Sequence, residues 1–226
     1  MTLAILVSLL CATPFIQPNS SGLGPAELFT VRNHDSEEFR EALELCRIGE
    51  FKMAFPAIQK HADERDLGAV YILAKFYEKG LGVLPDREKA AALYDTNVTA
   101  NHAPSMVALG ELKEDKSPEA ALRLYHQASD LEDPIADLKL GDIYERGALG
   151  TDANPKLAFS HFEKLSKTNF PEGDFRLARC YDAGIGTSAD PLQATRLFRK
   201  AALGGHLPSQ VIMARRYFGG KGLDPD

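Results

Sequence analysis

The sequence predicts an all-α protein built from stacked antiparallel helix pairs, and three observations lead to that fold class. Small residues recur at intervals of 36, 31, 37 and 36 residues, at Ala74, Gly110, Gly141, Ala178 and Ala214. Four of the five are followed three residues later by a tyrosine. A glycine turn and a capping residue complete most copies. Because a fixed period of about 20 to 50 residues indicates a repeat array, each copy is expected to bury its apolar face only against its neighbours.

The copy around Ala178 shows how one repeat is built. A first helix is predicted over about 172–182, where Leu177 and Tyr181 share one stripe. Gly184 can take the left-handed conformation that ends a helix. Asp190 can then cap a second helix over about 191–203, and Pro191 suits the first position of that helix. The repeat is therefore a helical hairpin with its own stop and start signals.

The other copies carry the same signals in the same register. Glycine turns are predicted at 80–82, 147–150, 184–186 and 220–222, and the second copy has lost its turn, which explains the shorter interval. The predicted capping residues are Asp86, Ser117, Asn154, Asp190 and Asp226.

Three segments carry a resemblance to a known family: LAKFYEKGLGVLPDREKAAALY, LGDIYERGALG and LARCYDAGIGTSADPLQATRLFRKAALGG. They resemble Sel1-like repeats, which are relatives of the tetratricopeptide repeat with a longer turn. The resemblance covers about 67–226. It implies a right-handed superhelical solenoid and a scaffold or adaptor role.

These patterns divide the chain into an apolar N-terminal segment, an extended lead and a repeat array. The predicted segments are a signal peptide or apolar N-terminal segment at 1–21, an extended lead at 22–34, and repeat units at about 35–66, 67–102, 103–133, 134–170, 171–206 and 207–226, the last incomplete. The 35–66 unit has the tight turn of an ordinary tetratricopeptide repeat and is expected to cap the array.

The two ends raise separate questions. The apolar run at 3–12 is shorter than the roughly 20 residues that span a bilayer and is typical of a secretory signal. We therefore expect a periplasmic or secreted protein without a transmembrane span in its mature form. The alternatives are a buried or disordered tail in a cytoplasmic protein, or a lipid anchor on Cys11.

At the C-terminal end, Asp226 stands at the cap position of a second helix, so we expect the native chain to continue. Alternatively, a partner or a second copy covers this edge.

Composition and motifs exclude several functions. The net charge of −6 offers no basic footprint for nucleic acid or an anionic membrane. The six histidines show no metal-binding spacing, and no nucleophile elbow or phosphate loop of complete form occurs, so no cofactor, metal or catalytic residue is assigned. Cys46 and Cys180 lie in different units, too far apart to form a disulfide, and Cys180 is expected to be a core residue. The sequence predicts a protein that is not an enzyme.

The resemblance to tetratricopeptide arrays implies that first helices line a concave groove. Positions one and four after each small residue would point into it, with an apolar row three residues before. The candidate partner-binding residues are Tyr71, Lys75, Glu78, Glu111, Glu114, Asp142, Glu145, Phe175, Arg179, Asp182, Arg215 and Phe218. The middle of the groove would be acidic and its C-terminal end basic and aromatic. Alternatively, the charges form a solvated face and the apolar row is core.

We therefore expect a scaffold that binds another protein or peptide on its concave face, as a bacterial periplasmic regulator or assembly factor. A scaffold in alginate-like exopolysaccharide export is one alternative. A cell-wall or β-lactam hydrolase using Glu111, Glu114, Asp142 and Glu145 is a second. A structural subunit that self-associates through an open C-terminal edge is a third.

Overall fold

The computed structural model describes residues 36–219, and this part of the chain is all-α. Eleven helices occur in it and no strands. They are α1 (Glu37–Ile48), α2 (Phe51–Asp63), α3 (Leu67–Lys79), α4 (Arg87–Val98), α5 (Ala103–Lys113), α6 (Pro118–Asp130), α7 (Pro134–Arg146), α8 (Pro155–Ser166), α9 (Pro171–Ala183), α10 (Pro191–Leu203) and α11 (Leu207–Gly219). Consecutive helices pack in pairs, which confirms the predicted fold class. The signal segment, Cys11 and Asp226 lie outside the described residues.

The chain divides into two compact units between Asp86 and Arg87. In the first unit, α1 packs on α2 and α2 packs on α3. Ser36 caps α1 by accepting a hydrogen bond from the amide of Phe39, and Gly49 ends it with φ of 87°. Phe39, Ala42 and Cys46 on α1 are buried with Ala54 and Ile58 on α2. The predicted tight hairpin at 35–66 therefore has its own apolar core.

In the second unit, helices α4 to α11 each pack on the next one along the chain. The recurring small residues lie where an aromatic ring of the second helix packs on the first. A Cβ on Gly110 would lie 2.6 Å from Cε1 of Tyr125, and one on Gly141 would lie 2.3 Å from Cε1 of Phe162. Ala178 is buried in the same cluster as Phe198. Small residues recur because the two helices of a hairpin approach closely at that point.

Among the predicted caps, Asn154 and Asp190 act as expected and Ser117 does not. Asn154 accepts a hydrogen bond from the amide of Leu157, and Asp190 accepts bonds from the amides of residues 192 and 193. Gly184 adopts the left-handed conformation at φ of 69°. Ser117, expected to cap α6, makes no such bond with its side chain. Its φ and ψ of −151° and 66° place it outside the usual capping geometry.

Neighbouring hairpins of the second unit are joined by buried polar contacts. Ser129, at the end of α6, donates a 2.7 Å hydrogen bond to Oδ1 of Asp137 on α7. Ser166 on α8 makes the same contact with Asp174 on α9. Lys200 approaches Asp174 to 2.9 Å, so this buried carboxylate has a cationic partner. Because buried carboxylates need such partners, these contacts join the first turns of α7 and α9 to the end of the preceding helix.

Candidate partner-binding surface

The three candidate residues of the first unit lie on α3, and two of them are buried. Tyr71 and Lys75 are 6% and 5% exposed. The Lys75 ammonium lies 3.1 Å from the carboxylate of Glu78 and 5.8 Å from the centre of the Tyr71 ring. Tyr71 therefore belongs to the core, as the alternative interpretation of the apolar row expects.

On α5 of the second unit, the candidate acids meet a base from the next first helix. Nζ of Lys139 on α7 lies 2.6 Å from Glu111 and 3.9 Å from Glu114. The hydroxyl of Tyr125 also donates a hydrogen bond of 2.5 Å to Glu114. Both glutamates keep 38% of their side-chain surface in solvent. They are thus ion-paired and still accessible.

The same arrangement recurs between α7 and α9. Arg176 lies 2.9 Å from Asp142 and 3.9 Å from Glu145, and Arg179 lies 3.5 Å from Glu145. Arg176 also pairs with Glu172 on its own helix at 2.6 Å. Burial raises the pKa of Asp142, and the nearby Arg176 opposes that shift. The carboxylates of the predicted acidic middle therefore face a pair of arginines.

The last contact of this kind joins α9 to α11. Arg216 donates a 2.5 Å hydrogen bond to Asp182. Beside it, Arg215 is exposed and Phe218 is 95% exposed. We call the three sets of contacts the ion-pair ladder: Glu111 and Glu114 with Lys139, Asp142 and Glu145 with Arg176 and Arg179, and Asp182 with Arg216.

Sequence reasoning placed Arg216 at the basic C-terminal end of the groove but missed two members of the ladder, Lys139 and Arg176. A signal for both was present, because each stands two residues before a recurring small residue. Their pairing could not be predicted from the sequence, because it depends on how successive first helices stack. The stacking brings that position of one repeat beside the acids of the preceding repeat.

The apolar row of the second unit is not uniform. Val107 is buried on α5, so the core alternative holds there. Phe175 is half-buried on α9, with its ring 6.0 Å from that of Phe198 and 4.5 Å from that of His206. Val211 on α11 is exposed. The row therefore changes from core to surface along the unit.

A second polar cluster lies between α6, α7 and α8. Nε2 of His126 lies 3.0 Å from the hydroxyl of Tyr144, and the Tyr144 ring stacks on that of His161 at 5.8 Å. Nδ1 of His161 lies 3.0 Å from the buried carboxylate of Asp137. Burial, assisted by His161, lowers the pKa of His126. This cluster belongs to the packing between hairpins.

The remaining reactive groups are enclosed. Burial raises the pKa of the Cys46 thiol to about 12 and that of Cys180 to about 11. Both side chains lie in the core, as expected for Cys180. Asn97, the acceptor of an Asn-Val-Thr glycosylation sequence, is 1% exposed and donates a hydrogen bond to Ser105. No helix within residues 36–219 is long and apolar enough to cross a membrane.

Comparison with known proteins connects this geometry to a family. The Sel1 repeat family matches residues 68–95, 103–133, 134–167 and 171–206, which together make up more than half of the chain. A Sel1 repeat protein from Oxalobacter formigenes has the same fold, with a TM-score of 0.69 and 22% identity over 85% of this chain and 78% of that one. The immunity protein Pa5087 of Pseudomonas aeruginosa is also similar in fold, with a TM-score of 0.54 and 19% identity over 83% of this chain and 69% of that one.

Two relatives are similar in sequence. An uncharacterised protein of Neisseria meningitidis is 30% identical over 72% of this chain, which spans only 35% of that protein's length. An exopolysaccharide production negative regulator of Rhizobium leguminosarum bv. viciae is 23% identical over 86% of this chain and 68% of its own. Proteins with Sel1 repeats generally mediate contacts between proteins and are not catalytic.

Proposed function

The chain belongs to the Sel1 repeat family, and from that premise we propose that it is a scaffold that binds another protein or peptide along the ion-pair ladder. The face in question is formed by the first helices α5, α7, α9 and α11 of the second unit. The proposal assigns no catalytic step to the chain. It restricts the predicted twelve-residue surface to those members that take part in the ladder.

One observation carries the proposal: charged side chains of both signs lie in a regular row, paired and yet partly exposed. Glu111, Lys139 and Arg179 are 38%, 32% and 44% exposed at their side chains. A side chain already held by an ion pair loses little rotamer freedom when a ligand arrives, so such a row is preorganised for binding. Alternating charges give selectivity, because a partner has to present the opposite sign at each step.

We propose that this scaffold regulates exopolysaccharide production. The support is the Rhizobium relative, whose name states that function and which matches most of this chain. The apolar run at 3–12 supports export to the periplasm. In this proposal the scaffold exerts its regulation by holding a protein partner.

The test is a charge swap that keeps the fold intact. Immobilised chain would capture partners from an extract of the source cells, and capture would be compared among Glu111→Lys, Lys139→Glu and the double variant with both changes. The double variant restores an ion pair between α5 and α7, so it is expected to fold like the native chain. We expect partner capture to be lost in all three, because the double variant presents the charges in the wrong order.

A matched control uses the exposed pair Glu44 and Arg47 on α1, whose charges can be exchanged in the same way. This exchange should leave capture unchanged. Full capture by the Glu111→Lys and Lys139→Glu double variant would contradict binding through the ladder. Capture restored only in that double variant would mean that the pair acts through folding.

The hydrolase alternative needs paired carboxylates or a nucleophile in a cleft. The four acids considered for it each lie within 4 Å of a lysine or arginine. The family's general lack of catalysis also favours the scaffold. Hydrolysis of a cell-wall fragment by the purified chain, abolished when the four acids are replaced by amides, would reverse this choice.

A further inference from the structure

Arg176 of the ion-pair ladder is fully engaged within the chain. Its guanidinium lies 2.6 Å from Glu172, 2.9 Å from Asp142 and 3.9 Å from Glu145. Only 21% of its side-chain surface is exposed. Because three carboxylates already surround it, Arg176 joins α7 to α9 and has few donors left for a ligand.

Arg216 is engaged in the same way. It donates hydrogen bonds to Oγ1 of Thr195 and to the carbonyl of Pro191, in addition to its bond with Asp182. Its guanidinium also lies 5.0 Å from the centre of the Phe198 ring. With 12% of its side-chain surface exposed, Arg216 is a structural member of the ladder.

Arg179 differs from both of these arginines. Its one ion pair within residues 36–219 is with Glu145, at 3.5 Å, and 44% of its side-chain surface is exposed. Ion pairs join α9 to α7 on one side and to α11 on the other, so this exposure occurs in the middle of the unit. A guanidinium has five N–H donors in a planar fork that suits a carboxylate. Arg179 is therefore the arginine of the ladder that has donors available for a ligand.

Glu111 is the corresponding acid at the α5 end of the ladder. Its Oε1 lies 2.6 Å from Nζ of Lys139, which also lies 3.9 Å from Glu114, so two carboxylates share one ammonium group. Glu114 has the hydroxyl of Tyr125 as a further donor. Among the described residues Glu111 has only the lysine. Negative charge is therefore in excess at this end, and it is accessible at Glu111.

The surface between these two charges is partly apolar. Leu138 on α7 and Phe175 on α9 occupy the same repeat position, three residues before the small residue. Both side chains are half-buried and pack on the apolar core of the unit. Phe175 stands four residues before Arg179, so the two share one face of α9. A ligand that reaches from Glu111 to Arg179 would therefore pass over apolar side chains.

The separation of the two charges limits the size of the ligand segment. Neighbouring helices lie about 8 to 10 Å apart, so the two steps from α5 to α9 amount to about 16 to 20 Å. An extended peptide rises about 3.3 Å per residue and covers that distance with about five or six residues. A short segment without a fold of its own is long enough to reach both charges.

We infer that the partner presents an extended segment in which a basic and an acidic residue stand about five or six positions apart, with apolar side chains between them. The basic residue binds Glu111 and the acidic residue binds Arg179. This assignment rests on the proposed function and specifies which partner the ladder accepts. A segment with two charges of the same sign would meet a like charge at one end, which disfavours its binding.

A phage-displayed library of random peptides, each roughly twelve residues long, tests the pattern of charges. Selection on the native chain should enrich peptides with a basic and an acidic residue at that spacing. Selection on Arg179→Glu should instead enrich peptides with basic residues at both positions. Arg123→Glu is the matched control, because Arg123 is exposed on the second helix α6, outside the ladder, and this variant should select the same peptides as the native chain. No enrichment, or the same peptides selected on Arg179→Glu, would overturn the inference.

Fluorescence anisotropy with the most enriched peptide measures the size of the effect. Arg179→Glu should raise the Kd by more than about tenfold, because an attraction between opposite charges becomes a repulsion. Exchanging the acidic residue of the peptide for lysine should restore binding to Arg179→Glu and weaken binding to the native chain. The variant is expected to fold, since Arg179 has a single ion pair of 3.5 Å, and circular dichroism checks this. A Kd that Arg179→Glu leaves unchanged would contradict the assignment.

The two proposals can fail separately. If capture from the cell extract depends on the ladder but the selected peptides lack the two opposite charges, the assignment of the partner segment is wrong and the scaffold function stands. If capture does not depend on the ladder, the proposed function is wrong, whatever peptides the library yields.

Discussion

The close approach of α7 to α8 predicts that Gly141→Ala destabilises the protein. A Cβ at this position would lie 2.3, 2.7 and 2.8 Å from Cε1, Cδ1 and Cζ of Phe162, while ordinary contacts are 3.4 to 4 Å. The ring must therefore shift by about 1 Å, although it is 1% exposed in a packed core. This is the opposite of what helix propensity alone would give.

The expected magnitude follows from two opposing effects. Overpacking of a core costs about 1 to 3 kcal/mol, and the very short contact places this case near the upper end. Replacing a glycine inside a helix by alanine returns about 1 kcal/mol. The net loss in the free energy of unfolding should be about 2 kcal/mol, measured by urea denaturation followed by circular dichroism.

Two further variants make the result interpretable. Gly219→Ala is the control, because no atom lies within 4 Å of a Cβ placed there, and it should be neutral or slightly stabilising. The double variant Gly141→Ala with Phe162→Leu provides room for the methyl group. It should lose less stability than the two single changes together, by about 1 to 2 kcal/mol. A Gly141→Ala chain as stable as the native protein would refute the packing argument.

Three other outcomes are expected. Asp190→Ala should lower the free energy of unfolding by about 1 kcal/mol, because two amide bonds at the start of α10 are lost; Ser117→Ala, which removes no such bond, should change it much less. Cys180, with its thiol pKa raised to about 11, should not react with a thiol reagent at pH 8 until urea unfolds the chain; reaction in the native state would contradict its burial. Burial lowers the pKa of His126 in the folded state, so the unfolded chain binds more protons than the folded chain near pH 6. The contribution of neutral His126 to the stability of the fold is therefore present above about pH 6.5 and is lost as the pH falls below that value. His126→Asn should reduce that acid sensitivity in urea titrations at pH 7 and pH 5, and an unchanged pH dependence would contradict the assignment.

The sequence determined the repeat architecture of this protein because the signals for it are local. The small residue, the tyrosine after it, the glycine turn and the cap all lie within one repeat, so their periodicity is readable without coordinates. Asn154, Asp190 and Gly184 act as that pattern predicts. Position 141 must be small because the ring of Phe162 packs against it, and both residues belong to the same hairpin.

Contacts between repeats decide which residues are exposed and which charged side chains pair, and the spacing of residues in the sequence does not specify those contacts. The sequence predicts that Glu111 and Asp142 lie on the surface. It does not predict their partners Lys139 and Arg176, because the stacking of successive first helices brings each pair together. Tyr71 was expected in a groove and is buried, since the same helical position can face core or solvent depending on what packs against it. Periodicity fixes which residues share a face, and the tertiary structure decides what that face meets.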